Sequence, residues 1–222
     1  MENKIYKLTS NTKVNTFGVT LFQIELIADC RWGKIGDLGG WIEKESNLSG
    51  NAWVSGDARV FGNAWVSGDA RVFGDAWVSG DARVFGNAWV FGNAWVSEDA
   101  QIFGNAWVYG GARVSEDAQI FGNAWVSGNA WVYGDAQIFG DAQVSGNAWV
   151  YGDAWEQSPL QIQGTKHFVN ICKKGYLQIG CKSFTFEYWK ENFVGIGNQQ
   201  NYSVEQIKEY GMYIDLAINL NK

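Results

Sequence analysis

An apolar residue recurs at every sixth position through the middle of this chain, without one insertion. The series begins at Ile42 and Leu48. It continues through Val54, Val60, Val66, Val72, Val78, Val84, Val90, Val96, Ile102, Val108, Val114, Ile120, Val126, Val132, Ile138, Val144 and Val150. A helix needs a period of about 3.6, so this stretch is not helical. Each hexad supplies a short strand, Ala-Trp-Val-Ser or Ala-Arg-Val-Phe, and a turn of Gly with Asn or Asp. The β-branched residue faces a core and its two neighbours face outward, because side chains alternate along a strand. The pattern divides the chain into an N-terminal cap (1–41), a repeat solenoid (42–155) and a C-terminal region (156–222).

An open solenoid exposes sheet edges, so both ends need covers. Residues 1–41 are expected to form a β cap. Leu160–Gln163, Phe168–Cys172 and Tyr176–Gly180 predict a β-meander, with turns at Gly164 and Lys174-Gly175. Thr185 is placed to N-cap a helix running through Trp189 and Phe193. Ser203, with Gln206 three residues on, has the capping-box spacing for a second helix. The apolar stripe expected on that helix is Ile207, Tyr210, Ile214, Leu216 and Ile218.

The repeat, aliphatic–x–Gly–Asn/Asp–Ala–x, resembles the hexapeptide-repeat family over residues 42–155. That resemblance implies a left-handed parallel β-helix with three hexads per triangular coil. The sequence supports three per coil independently: Asp-Ala-Gln-Ile-Phe-Gly recurs at 99–104, 117–122 and 135–140, a spacing of 18 residues. The nineteen aliphatic positions then make about six coils, stacked about 4.8 Å apart. Abundant Trp and Phe at outward positions depart from the family pattern. Two flanking motifs, Gly36-Asp-Leu-Gly-Gly-Trp-Ile-Glu43 and Ile179-Gly-Cys-Lys-Ser-Phe-Thr-Phe-Glu-Tyr-Trp189, resemble segments of uncharacterised bacteriophage and prophage proteins around similar GNAxVxGDA arrays. This resemblance implies a viral setting and the cytoplasm of a host cell, but no defined activity.

Stacking with an 18-residue period sorts the outward residues into columns. One column is Trp89, Trp107 and Trp125, and another face carries the pairs Trp77–Trp95 and Trp131–Trp149. A third face carries Phe85, Phe103, Phe121 and Phe139 beside Gln101, Gln119 and Gln137. Aromatic neighbours at this spacing stabilise adjoining coils by about 0.5–1 kcal/mol per pair. Stacked Gln residues can add amide hydrogen bonds. A broad aromatic face also suits an interface, of which homodimerisation is the simplest form.

The turn positions supply a second kind of column. Asp81, Asp99, Asp117, Asp135 and Asp153 are expected in one corner, with Glu98 and Glu116 beside them. Across 51–155 there are nine Asp, two Glu and four Arg, and no Lys occurs between Lys44 and Lys166. That sums to −7, so the solenoid accounts for the whole of the chain's net charge of −6. Asp suits a turn because it bonds its own backbone. An acidic ridge also suits a basic groove, such as a nucleic-acid-binding protein offers, or a run of weak cation sites. Direct nucleic-acid binding, which needs a basic face, does not fit.

Catalytic readings fare less well. Hexapeptide-repeat acyltransferases use a His base and an inserted loop, and γ-type carbonic anhydrases of that fold use three His ligands. Here the solenoid contains neither His nor insertion, and His167 is the single histidine of the chain. Serines such as Ser55 and Ser67 have no base to activate them. No phosphate-binding Gly loop, cofactor site or metal site is expected. Ranks of Thr, which ice-binding solenoids display, are missing from 48–157. Saccharide binding would need polar groups beside exposed Trp, which Gln101, Gln119 and Gln137 supply. The odd number of cysteines, Cys30, Cys172 and Cys181, predicts reduced thiols. Residues 1–13 lack the apolar core of a signal peptide, and no stretch approaches the roughly 20 apolar residues of a membrane span.

The sequence thus predicts a non-enzymatic, phage-encoded protein that occupies a host macromolecule, antagonising antiviral defence as an anti-CRISPR protein or nucleic-acid mimic would. The alternative is a structural or saccharide-binding element of a virion.

Overall fold

In a computed structural model the chain is described over residues 4–220. The hexads form two-residue and three-residue strands that pair only in parallel with the strand one coil away. Three sheets result. The first face runs through Trp41, Arg59, Trp77, Trp95, Arg113, Trp131 and Trp149. The second runs through Trp53, Arg71, Trp89, Trp107, Trp125 and Gln143. The third runs through Trp65, Arg83, Gln101, Gln119 and Gln137. Each pairing joins residues 18 apart, so three hexads close one coil and about six coils stack.

Inside, Val or Ile from each strand and Ala from each turn are fully buried, from Ala52 to Val150. A buried Val contributes about 1.5–2 kcal/mol, and the column repeats it in every coil. The turns need glycine: Gly128 has φ +68°, and a Cβ there would lie 2.8 Å from the backbone of Gly146 in the next coil. Glu98 and Glu116, both at φ 58°, occupy the same left-handed position without that exemption.

Three antiparallel-linked strands build the N-terminal cap: β1 (Tyr6–Val14), β2 (Thr20–Leu26) and β3 (Leu38–Ile42). The last pairs in parallel with Arg59–Val60, so the cap extends the first face to nine strands. Its loops also reach over the solenoid. Phe17, at the β1–β2 turn, meets Phe61, Trp77 and Trp95 at ring-centroid distances of 5.9, 5.9 and 6.4 Å. Arg31 pairs with Asp69 at 2.7 Å, and Trp32 lies 4.7 Å from the Arg71 guanidinium.

At the other end the hexad register slips by one. Gln137 pairs with Ala154 and Ile138 with Trp155, a spacing of 17 residues. Strict phase would bring Glu156 into the apolar column. Instead Gly152 and Asp153, at φ 60° and 58°, tighten the turn, and Trp155 closes the bottom of the core. Polar side chains then satisfy the last rung. The Ser158 hydroxyl accepts from the Gln143 amide (2.9 Å), Gln161 Oε1 accepts from Ser145 (2.6 Å), and Asn170 donates to the Trp149 carbonyl (2.7 Å).

Beyond this seal the meander has one strand more than the sequence predicts: Gln161–Gln163, Phe168–Lys173, Tyr176–Ile179 and Lys182–Thr185, all antiparallel. Helices α1 (Phe186–Gln199) and α2 (Val204–Leu220) follow. Thr185 accepts from Tyr188 at 3.2 Å, and Ser203 and Gln206 form the reciprocal capping box. The expected stripe on α2 needs one correction. Tyr210, Ile214 and Ala217 are buried, whereas Leu216 is 43% exposed. Leu216 lies two residues from Ile214, roughly 200° round the helix, so both cannot face the sheet.

Candidate functional site

The turns before the three faces form three corners, and their chemistry differs. The corner entering the second face carries Asn87, Asn105, Asn123 and Asp141, joined by side-chain hydrogen bonds of 3.2, 3.1 and 3.0 Å. The corner entering the first face mixes Asp57, Asp75, Asn93, Gly111, Asn129 and Asn147, and Asn129 donates to Asn147 at 3.4 Å. The corner entering the third face carries Asn63, Asp81, Asp99, Asp117 and Asp135. Asn63 donates to Asp81 at 3.1 Å, and below that point every coil presents a carboxylate.

All four aspartates from Asp81 to Asp135 are exposed, as are Glu98 and Glu116. Among the described residues none of these six carboxylates lies in a salt bridge. The Glu98 carboxylate accepts from the Glu116 backbone amide at 2.9 Å. Neighbouring unit charges about 4.8 Å apart repel by about 1 kcal/mol in water. Among the described residues no group of three or more His, Cys, Asp or Glu side chains converges to hold a metal ion.

Asp153 does not belong to this ridge, against the expectation from its 18-residue spacing. The register slip places it opposite Ala136, and its carboxylate accepts from the Lys174 amide at 2.7 Å. It ties the solenoid to the C-terminal meander. A glutamate at the next aliphatic position, Glu156, is the sequence signal that could have located the slip.

The aromatic columns form as expected, and their geometry limits what they can do. Trp89, Trp107 and Trp125 stack at 5.0 and 5.4 Å with interplanar angles of 3° and 11°. Phe85, Phe103, Phe121 and Phe139 stack at 4.9, 4.9 and 5.1 Å. A further column, Phe73, Phe91 and Tyr109, runs beside the Trp column at 4.7 and 5.0 Å. Its 18-residue spacing was a sequence signal that passed unread among the Trp and Phe positions of the neighbouring columns. In these three columns each ring covers the faces of its neighbours, whereas on the first face Trp77 and Trp95 are tilted by 58° and Trp131 and Trp149 meet edge-on at 74°. Most of these rings are half-buried, and Trp125 is 38% exposed. Gln101, Gln119 and Gln137 lie in register, but among the described residues no hydrogen bond joins them. The amide ladder runs on the shorter Asn side chains of the neighbouring corner instead.

Residues 52–68, 64–80, 82–98, 100–116, 118–134, 136–152 and 142–157 match the family model described as YdcK Beta solenoid repeat. The chain is a β-solenoid repeat protein. The matched segments coincide with the coils and leave both caps of the solenoid outside. No curated protein matches the chain. Among the described residues no helix is long and apolar enough to cross a membrane.

The C-terminal region holds a separate concavity. His167 lies in the bend before Phe168–Lys173, not within a strand. The Tyr210 hydroxyl fixes this bend, accepting from the Lys166 and His167 amides and donating to the His167 carbonyl at 2.9 Å. Burial, with Tyr210 and Glu209 nearby, pushes the Tyr202 phenol up to about 12. Nearer the solenoid, Cys172 is buried and its Sγ lies 3.1 Å from Ser183 Oγ. Burial pushes this thiol up, which keeps it protonated and unreactive.

Proposed function

We propose that this protein is a non-catalytic binding scaffold that docks a basic macromolecule along the Asp81–Asp135 ridge. The observation that carries this reading is the unbroken run of exposed carboxylates at Asp81, Asp99, Asp117 and Asp135, one per coil and, among the described residues, none in a salt bridge. Glu98 and Glu116 add charge on the same edge. A stacked solenoid holds these groups at fixed spacing, so a partner meets a preorganised line of charge. The spacing of about 4.8 Å suits successive Lys or Arg side chains of a nucleic-acid-binding protein. The phage setting that the flanking motifs imply would make that partner a host protein. The stacked columns Trp89–Trp107–Trp125 and Phe85–Phe103–Phe121–Phe139 serve chiefly to hold the coils in register, since their ring faces cover one another. On those two columns the geometry disfavours the saccharide alternative, which needs free ring faces.

Affinity purification from a bacterial host lysate, with mass spectrometry, tests the reading. The expected result is one enriched basic protein retained by the natural chain and lost by Asp99→Asn/Asp117→Asn/Asp135→Asn. Full capture by the triple variant would rule the ridge out.

A further inference from the structure

We propose that the cavity between the C-terminal sheet and helices α1 and α2 binds a small carboxylic acid with a short branched apolar body. The cavity has a volume of about 80 Å³. Trp189, Phe193, Ile196, Ile207 and Ile214 form its apolar walls. Such a space is smaller than the roughly 150 Å³ dry cavity that holds benzene, so it takes a branched alkyl group. Close helix approach shapes one wall: a Cβ on Gly197 would lie 3.0 Å from the Ile207 side chain.

The polar lining comprises His167, Lys182, Cys181, Gln200, Tyr202 and Tyr210, whose hydroxyl is already committed to the His167 bend, and no Asp or Glu lines the cavity. Among the described residues, no carboxylate lies within ion-pair distance of Lys182. The His167 ring sits against Gly180 and 5.7 Å from the Tyr202 ring, and it makes no hydrogen bond among the described residues. Its backbone is pinned by Tyr210, so the ring is presented from a fixed bend. An apolar hollow edged by one free ammonium and one free imidazole is complementary to an anionic head on an apolar body. Across 156–222 seven Lys stand against five Glu and one Asp, so the region around the cavity does not share the acidity of the solenoid. Tyr202, neutral across the ordinary pH range, adds a phenol donor at the same rim.

The test uses the full chain and three probes of one shape: 3-methylbutanoate, 3-methylbutan-1-ol and 3-methylbutylamine. His167 is the single histidine, so its ring carbon-bound protons report the site without ambiguity in NMR titrations. The acid should move those signals saturably, with a Kd of about 1 mM, as expected for so few heavy atoms. The alcohol and amine should bind at least about tenfold more weakly. Lys182→Glu should weaken the acid by about tenfold or more, and the amine should then bind as well as the acid. Lys182 is half-exposed and carries no ion pair among the described residues, so this exchange leaves the fold in place. Ile196→Phe, which fills the hollow, should abolish binding of all three. Equal binding of acid and amine to the natural chain would overturn the proposal. An unchanged acid affinity in Lys182→Glu, or no saturable shift with any probe to about 50 mM, would do so too.

Discussion

Two corners of the same solenoid solve the same turn differently. Asn87, Asn105 and Asn123 link coil to coil through their side-chain amides, the last donating to the Asp141 carboxylate. Asp81, Asp99, Asp117 and Asp135 stand in equivalent places one face away, with only carboxylates facing one another. Backbone bonding differs too: the Asn87, Asn105 and Asn123 amides each donate to the glycine carbonyl one coil on at 2.8 Å, whereas among the described residues only Asp81 of the ridge makes the matching bond, to Glu98 at 2.9 Å. The fold therefore asks for a short turn-forming side chain and is served by the amide. Charge on the second corner is extra, and it works against stacking. If side-chain charge is the chief difference between the corners, exchanging their residues should exchange their energetics. The substitutions Asn87→Asp, Asn105→Asp and Asn123→Asp together remove the amide donors and add three neighbouring charges. Stability should fall by about 3 kcal/mol, counting both losses. Urea unfolding at low salt measures it, and an unchanged midpoint would mean the amide ladder contributes nothing.

The reverse exchange should be smaller and of opposite sign. Asp99→Asn, Asp117→Asn and Asp135→Asn remove the repulsion and allow an amide ladder, raising stability by about 2 kcal/mol. Exposed charges are screened over about 3 Å at 1 M salt, so much of the gain should vanish there. A gain that is the same at low and high salt would show that repulsion is not what distinguishes the corners. The same variant is the one expected to lose the basic partner, which would make the ridge a case of stability given up for binding.

The coils, the three faces and the ladders were legible because one rule, an aliphatic residue every six positions, fixes phase for the whole stretch. Trp89–Trp107–Trp125 and Phe85–Phe103–Phe121–Phe139 follow from arithmetic alone. Arithmetic failed where the repeat meets something else. Asp153 keeps the spacing but not the place, because Glu156 cannot enter an apolar column and the turn shortens to insert Trp155. The reach of Phe17 and Trp32 over the solenoid faces was invisible, since loop contacts carry no period. The cavity beside His167 was missed for a related reason. Its walls come from a sheet and two helices whose mutual packing no local pattern specifies.

The ridge corner contains its own internal comparison. Glu98 and Glu116 hold left-handed turn positions that Gly80, Gly134 and Gly152 occupy in the same column. A non-glycine residue there costs about 1 kcal/mol, so Glu116→Gly should stabilise the chain by that amount. The bond from the 116 amide to Glu98 survives the exchange, because it uses the backbone. Thermal unfolding of the single variant measures the effect. No gain would mean that the carboxylate supports the turn in some compensating way, and the corner would then be less strained than its angles imply.

The smallest expected effect marks where the ridge ends. Asp153→Ala removes the acceptor for the Lys174 amide and should lower stability by about 0.5–1 kcal/mol, a typical net hydrogen bond. It removes one negative charge, as each ridge substitution does, but from a side chain that faces the C-terminal meander. Partner affinity should therefore stay within about twofold of the natural chain, whereas Asp117→Ala should weaken it by about tenfold. Titrating both variants against the captured partner at one salt concentration separates position from net charge. Equal losses from the two would mean that the partner senses only the overall acidity of the solenoid, and the distinction between its corners would matter to folding alone.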